Sequence, residues 1–292
     1  MFRSSFGALD QNPNSHSMIR KVFVALGILF VISCNDKPAT TESVTTTEPA
    51  VSNEPPAISY SVINATPHDT TSYTEGFLIH DGKIFESSGA PEEMPNTRSI
   101  VGIVNRATGE INVKAELDRS IYFGEGITIL NNKLYMLTWK NQKGFIYNAK
   151  TFKKEGEFNF PTKEGWGMTT DGKYLILSDG SSNLTYLDPV TFKTVKIIGV
   201  TDNNGPVGNI NELEYVNGYI LANIYLTQYI IRIDPASGKV IGKADFSSLK
   251  KDAEHKYPDS ENMNGIAYDS AKKTILITGK LWPNIYEVRL NN

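Results

Sequence analysis

A short motif recurs five times along this chain, and each copy introduces a run of apolar residues. Most copies combine glycine with a polar or aromatic residue, and successive copies stand about 40 to 50 residues apart, the length of one blade in propeller-type repeats. The copies occupy residues 74–77, 124–127, 165–168, 210–213 and 263–266. A chain that repeats in this way folds as a series of similar units, and each unit buries its apolar face against the next.

Each repeat carries the signals of successive antiparallel strands. A turn rich in Asn, Asp, Gly or Lys follows every motif, a second β-rich run comes next, and the first four repeats contain a further turn. Such turns between apolar runs indicate hairpins. Four strands in a repeat of this length are typical of a propeller blade, so the sequence predicts an all-β, five-bladed β-propeller. A β-sandwich with irregular repeats is the weaker interpretation, because the five motifs recur in order.

The two ends of the repeat region predict how the ring closes. The last repeat stops at residues 288–290 without a fourth strand, while residues 58–63 form an unpaired β-rich run before the first motif. We therefore expect the N-terminal strand to pair into the last blade, because that pairing removes exposed strand edges. The propeller is expected to span residues 57–292.

The segment before the propeller has the pattern of an export signal. Arg20 and Lys21 precede an apolar run at 22–32. This run is too short to cross a bilayer, which takes roughly 20 residues, but it fits a secretory signal. We expect residues 1–33 to be a signal peptide, with Met18 as the true start.

The single Cys of the chain, Cys34, directly follows a small residue at the end of this signal. That arrangement resembles a bacterial lipobox, so we expect Cys34 to be lipidated; a plain signal peptide with an incidental Cys is the alternative. Residues 34–56 are rich in Thr and Pro and lack an apolar period, which is typical of an extended tether. The expected product is a monomer, lipid-anchored in the bacterial cell envelope and facing the periplasm or the surface.

Charge and composition exclude several classes of protein. Lys and Arg total 29 against 32 for Asp and Glu, so no excess of cations is present to displace phosphate counterions, and nucleic acid is not an expected partner. One Cys excludes an intrachain disulfide or a thiolate cluster. The four His residues show no H-E-x-x-H spacing, which disfavours a zinc hydrolase.

The recurring motif also predicts a site. The first strand of each blade lines the central channel, so the second residues of the motifs converge at one mouth. These residues are Glu75, Glu125, Trp166, Asn211 and Asn264. The second strands end one layer further out, at Trp139, Tyr225 and Lys280. Each residue alone is more often structural, but polar groups that converge among aromatic walls are typical of a small-ligand pocket.

Several strings in this region resemble one family. They lie at 122–128, 144–147, 165–167, 211–215 and 279–283, and they are similar to strings of the plant and bacterial glutaminyl-peptide cyclotransferases. The likeness runs in order from about residue 62 to residue 290. It implies a five-bladed propeller that converts the N-terminal Gln of peptides and proteins to pyroglutamate and releases ammonia. It also implies chemistry that requires no catalytic metal and no other cofactor.

The resemblance assigns roles residue by residue. Glu125 matches the essential acid of the family, Trp139 and Trp166 match its pocket aromatics, Asn211 matches its pocket amide, and Lys280 matches its lysine. Together they imply a catalytic acid inside an aromatic substrate pocket.

Three positions depart from the family pattern. Tyr73 stands where some members have Phe, Glu75 where the plant members have Gln, and Tyr225 where a third pocket indole is found. Tyr225 keeps a stacking surface but trims it. Glu75 adds a charge, which we expect to hold the substrate ammonium and to couple electrostatically to Glu125.

Cyclisation suits these residue types. The α-amine attacks the side-chain amide carbon within one molecule, so the pocket mainly has to hold a coiled conformer. One carboxyl is able to take the amine proton and give it to the leaving nitrogen, which is the role we expect for Glu125. The developing oxyanion needs donors, and Asn211 and Lys280 are the candidates.

Two other classes stay open at this point. Glu75, Glu125, Asn211 and Asn264 offer hard oxygen ligands, which fits a calcium-dependent propeller hydrolase or lactonase. A non-catalytic, lipid-anchored binding propeller is the second alternative.

Overall fold

The computed structural model describes residues 54–291, and these residues form five four-stranded antiparallel sheets and one two-stranded hairpin. The first strand of the chain is β1 (Ser59–Pro67). Blade 1 consists of β2 (Tyr73–His80), β3 (Lys83–Gly89), β4 (Ile100–Val104) and β5 (Ile111–Glu116). Blade 2 consists of β6 (Gly124–Leu130), β7 (Lys133–Thr138), β8 (Lys143–Asn148) and β9 (Lys154–Asn159). Blade 3 consists of β10 (Met168–Thr170), β11 (Leu175–Leu177), β12 (Asn183–Leu187) and β13 (Thr194–Gly199).

The second half of the chain continues the series. The short hairpin consists of β14 (Thr201–Asp202) and β15 (Gly205–Pro206). Blade 4 consists of β16 (Ile210–Val216), β17 (Tyr219–Ile224), β18 (Tyr229–Ile233) and β19 (Val240–Asp245). Blade 5 consists of β20 (Met263–Asp269), β21 (Thr274–Gly279), β22 (Asn284–Asn291) and β1. The predicted five-bladed, all-β propeller is confirmed.

Ring closure also follows the prediction. Strand β1 pairs antiparallel with β22, so the start of the described chain supplies the fourth strand of blade 5. Contacts with the propeller begin slightly before the expected boundary at residue 57, because the Lys243 N–H donates to the Pro56 carbonyl at 2.9 Å.

The tight turns explain part of the repeat. Two-residue loops join the first and second strands of blades 1, 2 and 4, and both residues of each loop have positive φ. This geometry is the type I′ turn that matches the twist of antiparallel strands, and Asn, Asp and Gly adopt it at the lowest cost. The loops are Asp81–Gly82, Asn131–Asn132 and Asn217–Gly218.

Apolar side chains fill the spaces between neighbouring blades. One buried cluster joins Leu78 and Phe85 of blade 1 to Ile127, Met136 and Phe145 of blade 2. A similar cluster lies between blades 4 and 5. Because each sheet is sealed on both faces, the strands read as apolar runs more often than as strict alternation.

A single helix occurs in residues 54–291, and the sequence reading did not anticipate it. Helix α1 (Ser247–Lys256) connects blades 4 and 5, and it buries Leu249 and Ala253 against their shared cluster. This helix is neither long nor apolar enough to cross a membrane, and residues 54–291 contain no other candidate span.

A buried ion pair lies at the seam where the ring closes. His68 follows β1, and its Nε2 lies 2.9 Å from Glu86 Oε2 of β3, with both side chains fully buried. The Glu86 carboxylate also accepts from the hydroxyls of Ser72 and Thr74, while His68 Nδ1 lies 2.8 Å from the Trp282 carbonyl oxygen. The pair therefore ties the closing strand to blade 1 as well as to blade 5.

The predicted signal peptide, the lipidation of Cys34 and most of the predicted tether lie outside the described residues, as does Asn292 at the end of the expected propeller range.

Candidate active site

A cavity of about 620 Å³ opens at the motif end of the inner strands. Eight of the nine side chains that the sequence placed at this mouth line the cavity, and Asn264 does not. The eight are Tyr73, Glu75, Glu125, Trp139, Trp166, Asn211, Tyr225 and Lys280. The structure thus brings together residues from all five blades, whereas their individual roles remain predictions.

The motif recurs because the inner strands bend at this cavity. In β2, β6, β16 and β20 the antiparallel register shifts at the motif, which marks a β-bulge. A bulge inserts a residue that redirects its side chain and increases the local twist. The bulged segments contain Glu75, Glu125, Asn211 and Asn264.

Glycine allows the inner strands to approach closely beside these bulges. A Cβ on Gly126 would lie 2.5 Å from the Met168 nitrogen, and one on Gly167 would lie 2.1 Å from the Asn211 carbonyl oxygen. Both distances are below any real contact of a Cβ atom. The glycines that accompany the motif are therefore required by packing around the axis.

Glu125 lies on β6 and is 5% exposed. The Ser87 hydroxyl donates to the Glu125 carbonyl oxygen at 2.7 Å, which fixes the backbone. Within residues 54–291 the Glu125 carboxyl itself forms no hydrogen bond, so its oxygens remain available to a ligand.

The surroundings of Glu125 favour its protonated form. Burial is the largest cause and raises its pKa well above the ordinary value, and the negative charge of Glu75 adds to this effect. The Lys280 ammonium opposes the rise, while the charge of Glu164 adds to it. A carboxyl with a raised pKa is suited to exchange protons near neutral pH.

The sequence argument expected the Glu75 carboxylate to be free to bind the substrate ammonium. In the structure it is instead engaged by protein side chains. Lys280 Nζ donates to Glu75 Oε1 within a buried ion pair, and Asn264 Nδ2 donates to Glu75 Oε2 at 3.1 Å. Burial raises the pKa of Glu75, while Lys280 and Asn264 oppose that rise. Asn264, expected in the ring of site residues, lies fully buried and supports Glu75.

The same ion pair argues against a bound calcium ion. The calcium alternative needs the oxygens of Glu75, Glu125, Asn211 and Asn264 to face one cation, but the Lys280 ammonium already occupies the position beside Glu75. An added divalent ion would be repelled by that charge. The donor set therefore does not fit the metal.

The aromatic side chains of the cavity form two groups of contacting rings. The Trp166 and Tyr225 rings meet edge to face with centroids 5.4 Å apart, and Phe123 contacts Trp139 at 5.7 Å and Tyr73 at 6.2 Å. Sequence reasoning missed Phe123 as a wall residue, although it directly precedes the Gly-Glu-Gly motif. Stiff aromatic walls restrict a small ligand at a low cost in side-chain entropy.

Asn211 presents an amide that the protein does not satisfy. Its Oδ1 atom is buried and has no hydrogen-bond partner in the described part of the chain. Its backbone carbonyl oxygen accepts from the Ser178 hydroxyl at 2.6 Å, which holds the residue in place. Because a buried polar atom without a partner is costly, we expect the amide to bind a polar ligand.

Glu164 is a second residue that the sequence reading missed. Its Oε2 atom accepts from the indole N–H groups of both Trp139, at 2.8 Å, and Trp166, at 2.9 Å. The signal available in the sequence was its position two residues before Trp166, in a loop that no other repeat reproduces.

Fold and site together define a class of protein: a five-bladed propeller whose axial pocket combines a buried acid of raised pKa with aromatic walls. The sequence profile described as glutamine cyclotransferase matches residues 34–290, and the chain belongs to this family.

Two relatives agree with that assignment. The glutaminyl-peptide cyclotransferase of Arabidopsis thaliana is 36% identical over 231 residues, which cover 78% of this chain and 70% of the relative. The crystal structure of Myxococcus xanthus glutaminyl cyclase superposes with a TM-score of 0.74 and 32% identity, over 82% of this chain and 99% of that one.

Proposed function

We propose that this chain is a glutaminyl-peptide cyclotransferase, which converts the N-terminal Gln of peptides and proteins into pyroglutamate with release of ammonia. The observation that carries the proposal is the Glu125 carboxyl: it is buried, forms no hydrogen bond within residues 54–291, and lines the cavity together with Trp139 and Trp166. Membership of the glutamine cyclotransferase family supports the same reaction.

The proposed reaction moves one proton through Glu125. The ionised carboxylate binds the α-ammonium group and takes a proton from it as the amine nitrogen attacks the side-chain amide carbon. A bond forms between that nitrogen and the amide carbon, and the carbonyl oxygen becomes an oxyanion. Glu125 then gives the proton to the amide nitrogen and the carbon–nitrogen bond breaks; the departing ammonia takes the second proton that the ring nitrogen must lose and leaves as ammonium. The carboxylate is regenerated, so no other reactant is consumed.

The other groups hold the substrate and stabilise charge. The aromatic walls fix a coiled glutaminyl side chain, because attack requires a near-attack conformer. Asn211 offers an unsatisfied amide to the substrate. Lys280 has three N–H donors and gives one to Glu75, so it retains donors for the oxyanion. In this scheme no metal or other cofactor takes part.

The direct test is product analysis with a Gln-initiated dipeptide. We expect release of one ammonia per pyroglutamyl product, at a rate that EDTA does not change. An Asn-initiated dipeptide is the matched control, because its shorter side chain would have to close a strained four-membered ring. Absence of turnover would refute the proposed function, and loss of turnover in EDTA with recovery on added metal would refute the metal-free scheme.

Glu75→Gln is expected to raise KM and to move the acidic limb of the kcat/KM profile to lower pH. The substitution leaves the Lys280 ammonium without its counter-charge. The uncompensated Lys280 charge then repels the substrate ammonium. The substitution also removes a charge that raises the pKa of Glu125, and a lower pKa keeps Glu125 ionised at lower pH. We expect kcat at the optimum to change little. A profile with the same KM and the same acidic limb would contradict this interpretation of the ion pair.

We further propose that the mature protein is attached to the bacterial cell envelope by a lipid on Cys34. The support is the apolar run at 22–32 behind basic residues, followed by the only Cys of the chain. Cys34→Ser is expected to shift the protein from the detergent phase to the aqueous phase and to abolish lipid mass on its N-terminal peptide. Unchanged partitioning, without a lipid on the wild-type peptide, would contradict the anchor.

A further inference from the structure

We propose that Glu164 is a positioning residue for cyclisation. One of its carboxylate oxygens holds both the Trp139 and the Trp166 indole as fixed walls of the pocket. The inference rests on the function proposed above and adds a residue to it. Glu164 lies in the loop between β9 and β10, and it does not line the cavity itself.

The geometry assigns both indoles to one acceptor. The N–H groups of Trp139 and Trp166 converge on Glu164 Oε2 at 2.8 and 2.9 Å. Trp139 follows β7 of blade 2, whereas Trp166 precedes β10 of blade 3. An indole N–H is only a donor, so a shared acceptor between the blades sets the relative position of the two rings.

The backbone around Glu164 is fixed as well. Its carbonyl oxygen accepts from the Thr162 hydroxyl at 2.8 Å, and the next N–H, that of Gly165, donates to the Trp139 carbonyl at 2.9 Å. The backbone N–H of Trp166 donates to the Ser178 carbonyl at 3.1 Å. The acceptor is therefore held by the same segments that carry the two rings.

The carboxylate has a second consequence. In residues 54–291 no Lys, Arg or His forms an ion pair with Glu164, so its charge is stabilised by the two indole N–H donors and not by a counter-charge. An amide would satisfy both indoles without a charge. The negative charge also adds, after burial and Glu75, to the raised pKa of Glu125, while the Lys280 ammonium opposes that rise.

Two variants separate these roles. Glu164→Gln keeps an oxygen that accepts from both indoles but removes the charge. We expect its kcat at the pH optimum to stay within a few-fold of wild type, while the acidic limb of kcat/KM moves to lower pH. Glu164→Ala removes the acceptor that holds both rings, and we expect its kcat/KM to fall by roughly 10²-fold, the cost of a misplacement of about 1 Å.

Glu155→Gln is the matched control, because Glu155 is an exposed residue of β9 that does not line the cavity. It is expected to leave kcat/KM and the acidic limb unchanged. Thermal melting of all three variants checks that each is folded, and Glu164→Gln keeps the test valid if Glu164→Ala does not fold.

Tryptophan fluorescence provides a readout that is independent of turnover. The chain has three Trp residues, and two of them donate to Glu164, so Glu164→Ala is expected to shift the emission spectrum and Glu164→Gln to preserve it. An unchanged spectrum in Glu164→Ala, or near-normal kcat/KM in that variant, would overturn the proposal. So would an acidic limb in Glu164→Gln at the wild-type position. A wild-type protein without cyclase turnover would instead refute the proposed function, and the spectra would still test whether Glu164 holds the two indoles.

Discussion

Glu125→Gln is expected to lower kcat by about 10²- to 10⁴-fold, the usual contribution of general acid–base catalysis. The amide has the shape of the carboxyl and accepts a hydrogen bond from the substrate ammonium, but it cannot take up the proton. Binding is therefore expected to weaken far less than turnover. Because the variant turns over slowly, the dissociation constant of a Gln-initiated dipeptide is measurable directly by calorimetry.

The matched control is Glu214→Gln. Glu214 is also a carboxyl on an inner strand, and burial raises its pKa to about 8, with the Tyr268 N–H opposing the rise. It does not line the cavity. The control is expected to keep wild-type kcat. A Glu125→Gln variant with near-normal kcat would show that another group carries the proton.

Glu86→Gln is expected to destabilise the fold by about 3 to 5 kcal/mol, the usual cost of breaking a buried ion pair from one side. The Glu86 carboxylate accepts from His68, Ser72 and Thr74. An amide replaces one acceptor oxygen with a donor and leaves the His68 imidazolium without its counter-charge. Urea unfolding measures the change as a lower midpoint at unchanged slope.

The buried pair also predicts that the free energy of unfolding falls as pH rises through the pKa of His68. Burial alone would lower the pKa of His68, but the charge and hydrogen bond of Glu86 raise it overall. The folded state therefore binds the proton more tightly. Its stabilisation is complete below the unfolded pKa of about 6.5 and is lost as pH rises through the higher folded pKa. Glu86→Gln should flatten this slope.

The exposed pair Arg98–Glu116 is the control for the seam. Both side chains are about half exposed, so Glu116→Gln is expected to change the free energy of unfolding by less than about 1 kcal/mol. Equal effects of Glu86→Gln and Glu116→Gln would contradict the role of the buried pair.

The repeat made the architecture predictable from the sequence. Five motifs in order specify five inner strands, and the missing fourth strand after residue 290 predicts closure by β1. The shared motif position also placed Glu75, Glu125 and Asn211 at one mouth of the channel. A bulge at that position in each of their strands redirects equivalent side chains. Helix α1 was missed because it lies in a connection between blades, where the repeat carries no information.

Side-chain pairing was not predictable in the same way. Glu75 and Lys280 are 205 residues apart, and spacing places both at the mouth without indicating that their charges meet. The sequence argument therefore assigned Glu75 to the substrate instead of to Lys280. Glu164 was missed for a related reason: two indole N–H groups reach it from different blades, and only the folded geometry reveals a shared acceptor.

The central claim is that Glu125 is a buried acid that carries the proton in a cyclase pocket, and the pH dependence of kcat/KM for the wild-type protein tests it most directly. The account predicts an acidic limb with an apparent pKa well above the value of about 4.3 for an ordinary Glu, because burial and the charge of Glu75 raise the pKa of Glu125. An acidic limb at about 4.3, or a rate that does not fall on acidification, would contradict it.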